Sequence, residues 1–119
     1  MSAHRRALGA DGEAVVAHWY ERRGASVVDR NWRCRLGEID LVVRDATTLV
    51  VCEVKTRTSD RHGSGAAAVD VGKQRRLRAL AVAYLAQWEG ERPAVVRFDV
   101  AVVTPGPHGF AVRVIEAAF

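Results

Sequence analysis

The chain has 119 residues, 49% of them hydrophobic, which suffices for a single buried core, and no linker-like stretch divides it. No apolar run is long enough to span a membrane, and the start Met1-Ser2-Ala3-His4-Arg5-Arg6 lacks the apolar segment of a secretory signal, so a cytoplasmic location is expected. The net charge of +4 favours a polyanionic partner, while Cys34, Cys52 and the dispersed His4, His18, His62 and His108 fit neither a disulfide framework nor a zinc site.

Residues from about 7 to 23 read as a helix closed by Gly24, with Leu8, Val15, Val16, Trp19 and Tyr20 as its apolar stripe. Glu13 falls at the border of that stripe. A surface carboxylate is the ordinary explanation, but the position also lets Glu13 lean over a sheet toward Asp40. Ser26 to Trp32 reads as a strand. A hairpin follows, made of Gly37-Glu38-Ile39-Asp40-Leu41-Val42-Val43 and Leu49-Val50-Val51-Cys52-Glu53-Val54-Lys55, with Asp45-Ala46-Thr47-Thr48 as the turn. Residues 57–68 form a polar, glycine-bearing loop. A second helix runs from about Asp70, its N-cap, to Glu89, with Leu77, Leu80, Ala81, Tyr84, Leu85 and Trp88 as core. Ala94 to Val103 is a strand, Thr104-Pro105-Gly106-Pro107-His108-Gly109 a turn, and Phe110 to Glu116 a closing edge strand. A helical crossover implies that the fourth strand pairs parallel with the meander. The fold class is α/β, with the order α-β-β-β-α-β-β and a mixed sheet flanked by helices.

The chemistry concentrates in the hairpin. Side chains alternate along a strand, so Glu53 and Lys55 point the same way and follow Leu49 and Val51 on a face that runs from core into charge. The pairing brings Asp40 alongside Glu53. Two converging carboxylates are hard oxygen ligands suited to Mg²⁺ or Mn²⁺, and a neighbouring lysine can orient water or stabilise charge on phosphate. A charged residue in a strand more often lies on a solvated face; the apolar wall beside it is what favours a site. Lys55 and Lys73 are the only lysines, and every other basic residue is arginine, which suggests positions where a planar, permanently charged guanidinium will not serve. Lys73 and Arg76, a helical turn apart at the start of the second helix, and Arg57, opening the loop, are candidates for one phosphate track. A solvated basic face is the competing explanation.

Gly12-Glu13, Asn31-Trp32-Arg33, Gly37-Glu38-Ile39-Asp40-Leu41, Glu53-Val54-Lys55-Thr56-Arg57, Gly63, Lys73, Arg97-Phe98-Asp99 and the closing Ala118-Phe119 together span nearly the whole chain. In this set the chain resembles the YraN-type family of uncharacterised bacterial proteins, placed in the PD-(D/E)XK restriction-endonuclease-like superfamily. The order is also similar to that of archaeal Holliday-junction resolvases. The resemblance implies one restriction-endonuclease-like domain over residues 1–119, with Glu13, Asp40 and Glu53 as carboxylates holding Mg²⁺ or Mn²⁺. It further implies Lys55 as the catalytic lysine and Lys73 as an accessory residue near the phosphate. The activity implied is that of a metal-dependent endonuclease on branched or otherwise structured DNA; the sequence does not fix the oligomer, although one site per chain would need a homodimer to cut two strands symmetrically. The alternative is a non-catalytic nuclease-fold module that grips DNA for a partner, because fold alone does not settle activity. A hydrolase of free nucleotides is a more distant reading, disfavoured by the arginine clusters. Two positions depart from the family pattern: Cys52 stands where relatives carry an aliphatic residue, and Ser64-Gly65-Ala66 lacks a proline often found after Gly63.

Overall fold

The computed structural model describes residues 3–57 and 69–119, and for residues 3–10 the backbone path only. The predicted loop from Thr58 onward, with Gly63 and Ser64-Gly65-Ala66, and the side chain of Leu8 lie outside the described residues. The elements are α1 (Ala3–Glu21), β1 (Ser26–Cys34), β2 (Gly37–Asp45), β3 (Thr48–Thr56), α2 (Val71–Ala86), β4 (Val95–Gly106) and β5 (Gly109–Ile115). The predicted order holds. The five strands form one sheet in the order β1-β2-β3-β4-β5, antiparallel except for the parallel β3–β4 pair. That parallel pair is the one the α2 crossover requires.

The two helices cover opposite faces. Val16, Ala17 and Tyr20 of α1 pack on Leu41, Val43, Val50, Cys52, Ala101 and Val103. Leu77, Leu80, Ala81 and Tyr84 of α2 pack on Ile39, Val42, Leu49, Val51, Phe98 and Val100. A strand covered on both faces cannot alternate apolar with polar, which is why Leu49 to Cys52 is an unbroken apolar run. Each such side chain contributes about 1.5–3 kcal/mol on full burial, before the entropy of ordering the chain is charged against it. Cys52 is fully buried in the α1-side cluster and behaves as a small hydrophobe, while Cys34 packs at the edge of the α2-side cluster; both are free thiols.

Several boundaries differ from the sequence reading. β1 continues to Cys34, because Arg33 and Cys34 keep pairing with Glu38 and Gly37. The hairpin turn is only Ala46-Thr47, with Asp45 opposite Thr48 and Ala46 at φ 52, so both strands are longer than their apolar runs. β4 runs through Thr104 and Pro105 to Gly106, and the predicted turn shrinks to Pro107-His108. Proline is tolerated at 105 because β3 pairing ends at Thr56 opposite Val103, leaving that flank of β4 without a donor to satisfy. α1 begins earlier than expected and ends where Gly24, at φ 87, takes the left-handed turn and Ala25 N–H closes onto Tyr20 O. α2 begins after Asp70, whose carboxylate accepts the Lys73 N–H at 2.8 Å as an N-cap, and ends at Ala86, short of Trp88. No helix among the described residues is long and apolar enough to cross a membrane.

Candidate metal and phosphate site

The site begins with a break in alternation at Asp40. Ile39 belongs to the α2-side cluster and Leu41 to the α1-side cluster, although residues two apart on a regular strand share a face. The facing therefore switches at Asp40. Across the ladder, Arg30 pairs with Leu41 and Trp32 with Ile39, and the residue between them, Asn31, sits at φ 51, a conformation asparagine tolerates better than most. The β2–β3 ladder runs as far as Leu41 opposite Cys52. At the next step the Asp40 carboxylate itself accepts the Val54 N–H at 2.9 Å.

The first helix brings Glu13 to this point. A Cβ on the buried Gly12 would stand 2.6 Å from Thr56 Oγ1, so a larger residue at 12 would have to turn Thr56 aside or lift α1 off the end of β3. Glu13, Glu38 and Asp40 each offer an oxygen, and these oxygens lie within 4.8 Å of one another. The expected lean of Glu13 toward Asp40 is thus observed. Glu38 was missed as a site residue. Strand alternation could not have found it, because the facing switches at Asp40. Glu38 also holds Arg33 at 3.3 Å.

Charge crowding shows in the acidities. Burial, then the nearby charge of Glu53, pushes Asp40 up from 3.8 to about 7; Glu13 and Glu38 add to this, and the Val54 N–H opposes it. Burial raises Glu13 too, against a hydrogen bond from Asn31. Glu53 lies outside the three-acid group but close enough to act on Asp40. It is 7% exposed, and its two oxygens are taken separately: Lys55 Nζ lies 3.8 Å from Oε1 and Lys73 Nζ 3.5 Å from Oε2.

The three proposed phosphate-track residues are placed differently from one another. Lys73 turns to Glu53. Arg76 is exposed, with its stem over Gly37, where a Cβ would meet Arg76 Cδ at 3.5 Å. Arg57 is half-buried, and its backbone N–H donates to Val103 O at 2.7 Å. A groove of about 390 Å³ lined by Val28, Tyr84, Gln87, Trp88 and Glu89 lies at the other end of α2 and contains none of these acids or lysines.

The donor set suits a hard divalent cation. Carboxylate oxygens are the ligands Mg²⁺ and Mn²⁺ prefer, and the raised acidity of Asp40 marks a concentration of negative charge that such an ion would relieve. The fold is thus an α/β sheet in which Glu13 of α1 meets Glu38 and Asp40 of β2, with Lys55 of β3 and Lys73 of α2 on the neighbouring Glu53. The model of the Uncharacterised protein family UPF0102 matches residues 12–103, and the chain belongs to that family. It is 50% identical over 103 residues to a UPF0102 protein of Frankia alni, covering 87% of this chain and 85% of the relative. A UPF0102 protein of Frankia casuarinae is 49% identical over 117 residues, covering 95% of this chain and 96% of the relative. One from Geobacter metallireducens is 43% identical over 104 residues, covering 87% and 84%. These matches bear out the family resemblance read from the motifs.

Proposed function

We propose that this protein is a metal-dependent DNA endonuclease acting on branched or otherwise structured DNA. The observation that carries the reading is the convergence of Glu13, Glu38, Asp40 and Glu53 with both lysines of the chain at one end of β2 and β3. Asp40 would hold Mg²⁺ or Mn²⁺ with Glu13 and Glu53, and Glu38 joins that set because its oxygen lies in the same cluster. The ion supplies Lewis acidity and neutralises charge on phosphate. Lys55 positions the attacking water beside the phosphate and stabilises charge as it develops. Arg57 and Arg76 contact flanking phosphates, which contributes affinity without reading sequence. One site per chain calls for a homodimer where two strands are cut symmetrically.

The test is incubation with junction, flap, single-stranded and duplex DNAs in Mg²⁺, Mn²⁺ or EDTA. Metal-dependent cleavage of the junction or flap substrates is expected. Lys55→Ala should abolish it while keeping DNA affinity within a few-fold, since Lys55 acts mainly in the transition state. Absence of cutting by the wild type with either metal would transfer support to the DNA-binding module that serves a partner.

A further inference from the structure

Strands β1 and β2 meet in a short turn, Arg35-Leu36, with Cys34 opposite Gly37 as the last rung of the ladder. Turns this short favour Asn, Asp or Gly. Here the second position carries a leucine that is 48% exposed, and the other large hydrophobics left exposed among the described residues are all valines. A lone surface leucine is ordinary. Two features set this one apart. The turn is braced: Cys34 packs at the edge of the α2-side core, and Arg33 holds Glu38 at 3.3 Å. Gly37 lies against α2, where an added Cβ would meet Arg76 Cδ at 3.5 Å and Leu80 Cδ1 at 3.6 Å. Leu36 is therefore held out on a firm support. It is also ringed by cations, with Arg33 and Arg35 beside it on the hairpin and Arg76 over the neighbouring Gly37, all three exposed.

An apolar side chain set among guanidinium groups matches a ligand that is anionic outside and apolar within, as phosphates around stacked bases are. An aliphatic wedge enters where a base step opens, and opening costs least where pairing and stacking are already interrupted. We propose that the Arg35-Leu36 turn is a wedge for an opened base step of DNA, with Arg35 and Arg76 on the flanking phosphates, and that it selects branched DNA over continuous duplex. This rests on the DNA reading and adds to it how structured DNA is told from plain duplex; it does not depend on cutting. The turn leads directly into the strand that carries Glu38 and Asp40, so at roughly 3.3 Å per residue the leucine stands within about 13 Å of Asp40 along the chain. An anionic bilayer shares the charge preference. Binding at its surface draws on an apolar face spread along a helix, which one leucine does not supply.

The experiment places a fluorescent adenine analogue, quenched by stacking, at the branch point of a junction. Its emission is measured with the full chain, alongside anisotropy affinities for the junction and for a matched duplex, in EDTA so that binding is read apart from cutting. The wild type should raise the emission and prefer the junction by about tenfold. Leu36→Ala should lose both the rise and the preference, with duplex affinity within about twofold of wild type because the phosphate contacts remain. Leu36→Phe should keep both, while Arg35→Ala should weaken junction and duplex alike. Circular dichroism checks that each variant is folded. Survival of either the rise or the preference in Leu36→Ala overturns the wedge and leaves the DNA reading standing, as does a wild type that shows neither. Wild-type protein that binds neither DNA overturns both, and Leu36-dependent binding to phosphatidylserine vesicles would then assign the turn to a lipid surface.

Discussion

Asp99 and Asp40 are both carboxylates set into interior strands of one sheet, and their surroundings are opposite. Asp99 is 1% exposed and fully provided for: Tyr20 OH donates to Oδ2 at 2.6 Å, Arg97 donates through Nε and a terminal nitrogen at 2.9 and 3.0 Å, and Ala117 N–H donates at 3.1 Å. Arg97 is held by that carboxylate with its own acidity weakened further, and burial together with the neighbouring Cys52 and Asp99 raises Tyr20. Among the described residues Asp40 has one N–H donor, from Val54, and three other carboxylates near enough to raise its pKa. Asp99 ties α1, β4 and the C-terminal tail together. Asp40 is crowded by like charge, an arrangement that costs stability and that a bound cation would relieve. Burial alone does not distinguish a structural carboxylate from a functional one; the sign of its neighbours does.

The largest effect should come from breaking the satisfied member of the pair. Asp99→Asn leaves Arg97 without its charge partner and disturbs Tyr20 and the tail, and should cost about 3 kcal/mol or more in urea unfolding. Asp40→Asn removes one of several repelling charges while keeping an acceptor for Val54, so stability at neutral pH should rise rather than fall. Mn²⁺ affinity in that variant should fall at least about tenfold. Equal destabilisation by the two substitutions would remove the distinction.

Gly12→Ala tests whether the approach of α1 builds the cluster. The added methyl meets Thr56 Oγ1, and overpacking of this kind should cost about 1–3 kcal/mol and move Glu13 off Asp40. Unchanged stability and metal affinity would mean that Thr56 simply rotates away and the contact does not position Glu13.

The same crowding sets a pH dependence. A carboxyl with a folded pKa near 7 and an ordinary value of 3.8 binds more protons folded than unfolded between those limits. Its contribution to stability is fully present below 3.8 and is lost as pH rises through about 7. In EDTA the wild type should therefore lose stability relative to Asp40→Asn across that window, with saturating Mn²⁺ abolishing the difference above pH 7. Parallel stability curves for the two proteins in EDTA would contradict the crowding described for Asp40.

The smallest effect belongs to Arg76, which is exposed and in no ion pair among the described residues. Arg76→Ala should change stability by less than about 0.5 kcal/mol, yet reduce the salt dependence of DNA binding by about one unit of slope. A wild-type slope would place the phosphate track elsewhere.

The sequence by itself determined the order of elements, the parallel crossover, the two covering helices and the Asp70 cap. Each of these depends on local periodicity or on a capping side chain within a few residues of its partner. It also marked Asp40, Glu53, Lys55 and Lys73, because acids and rare lysines beside an apolar run are visible without coordinates. Strand ends were less legible. Thr48, Thr104 and Pro105 look like turn residues, and only their ladder partners extend the strands through them. The grouping of charges was decided by tertiary structure alone. Simple alternation gives no hint that the facing switches at Asp40, which brings Glu38 and Glu13 to it and leaves Glu53 to the lysines. Nor could sequence separation reveal that Lys73 reaches Glu53 or that Asp99 collects Tyr20. Those contacts arise from helices laid across the sheet, and the packing of Gly12, Leu77 and Leu80 against distant strands sets where each helix lies.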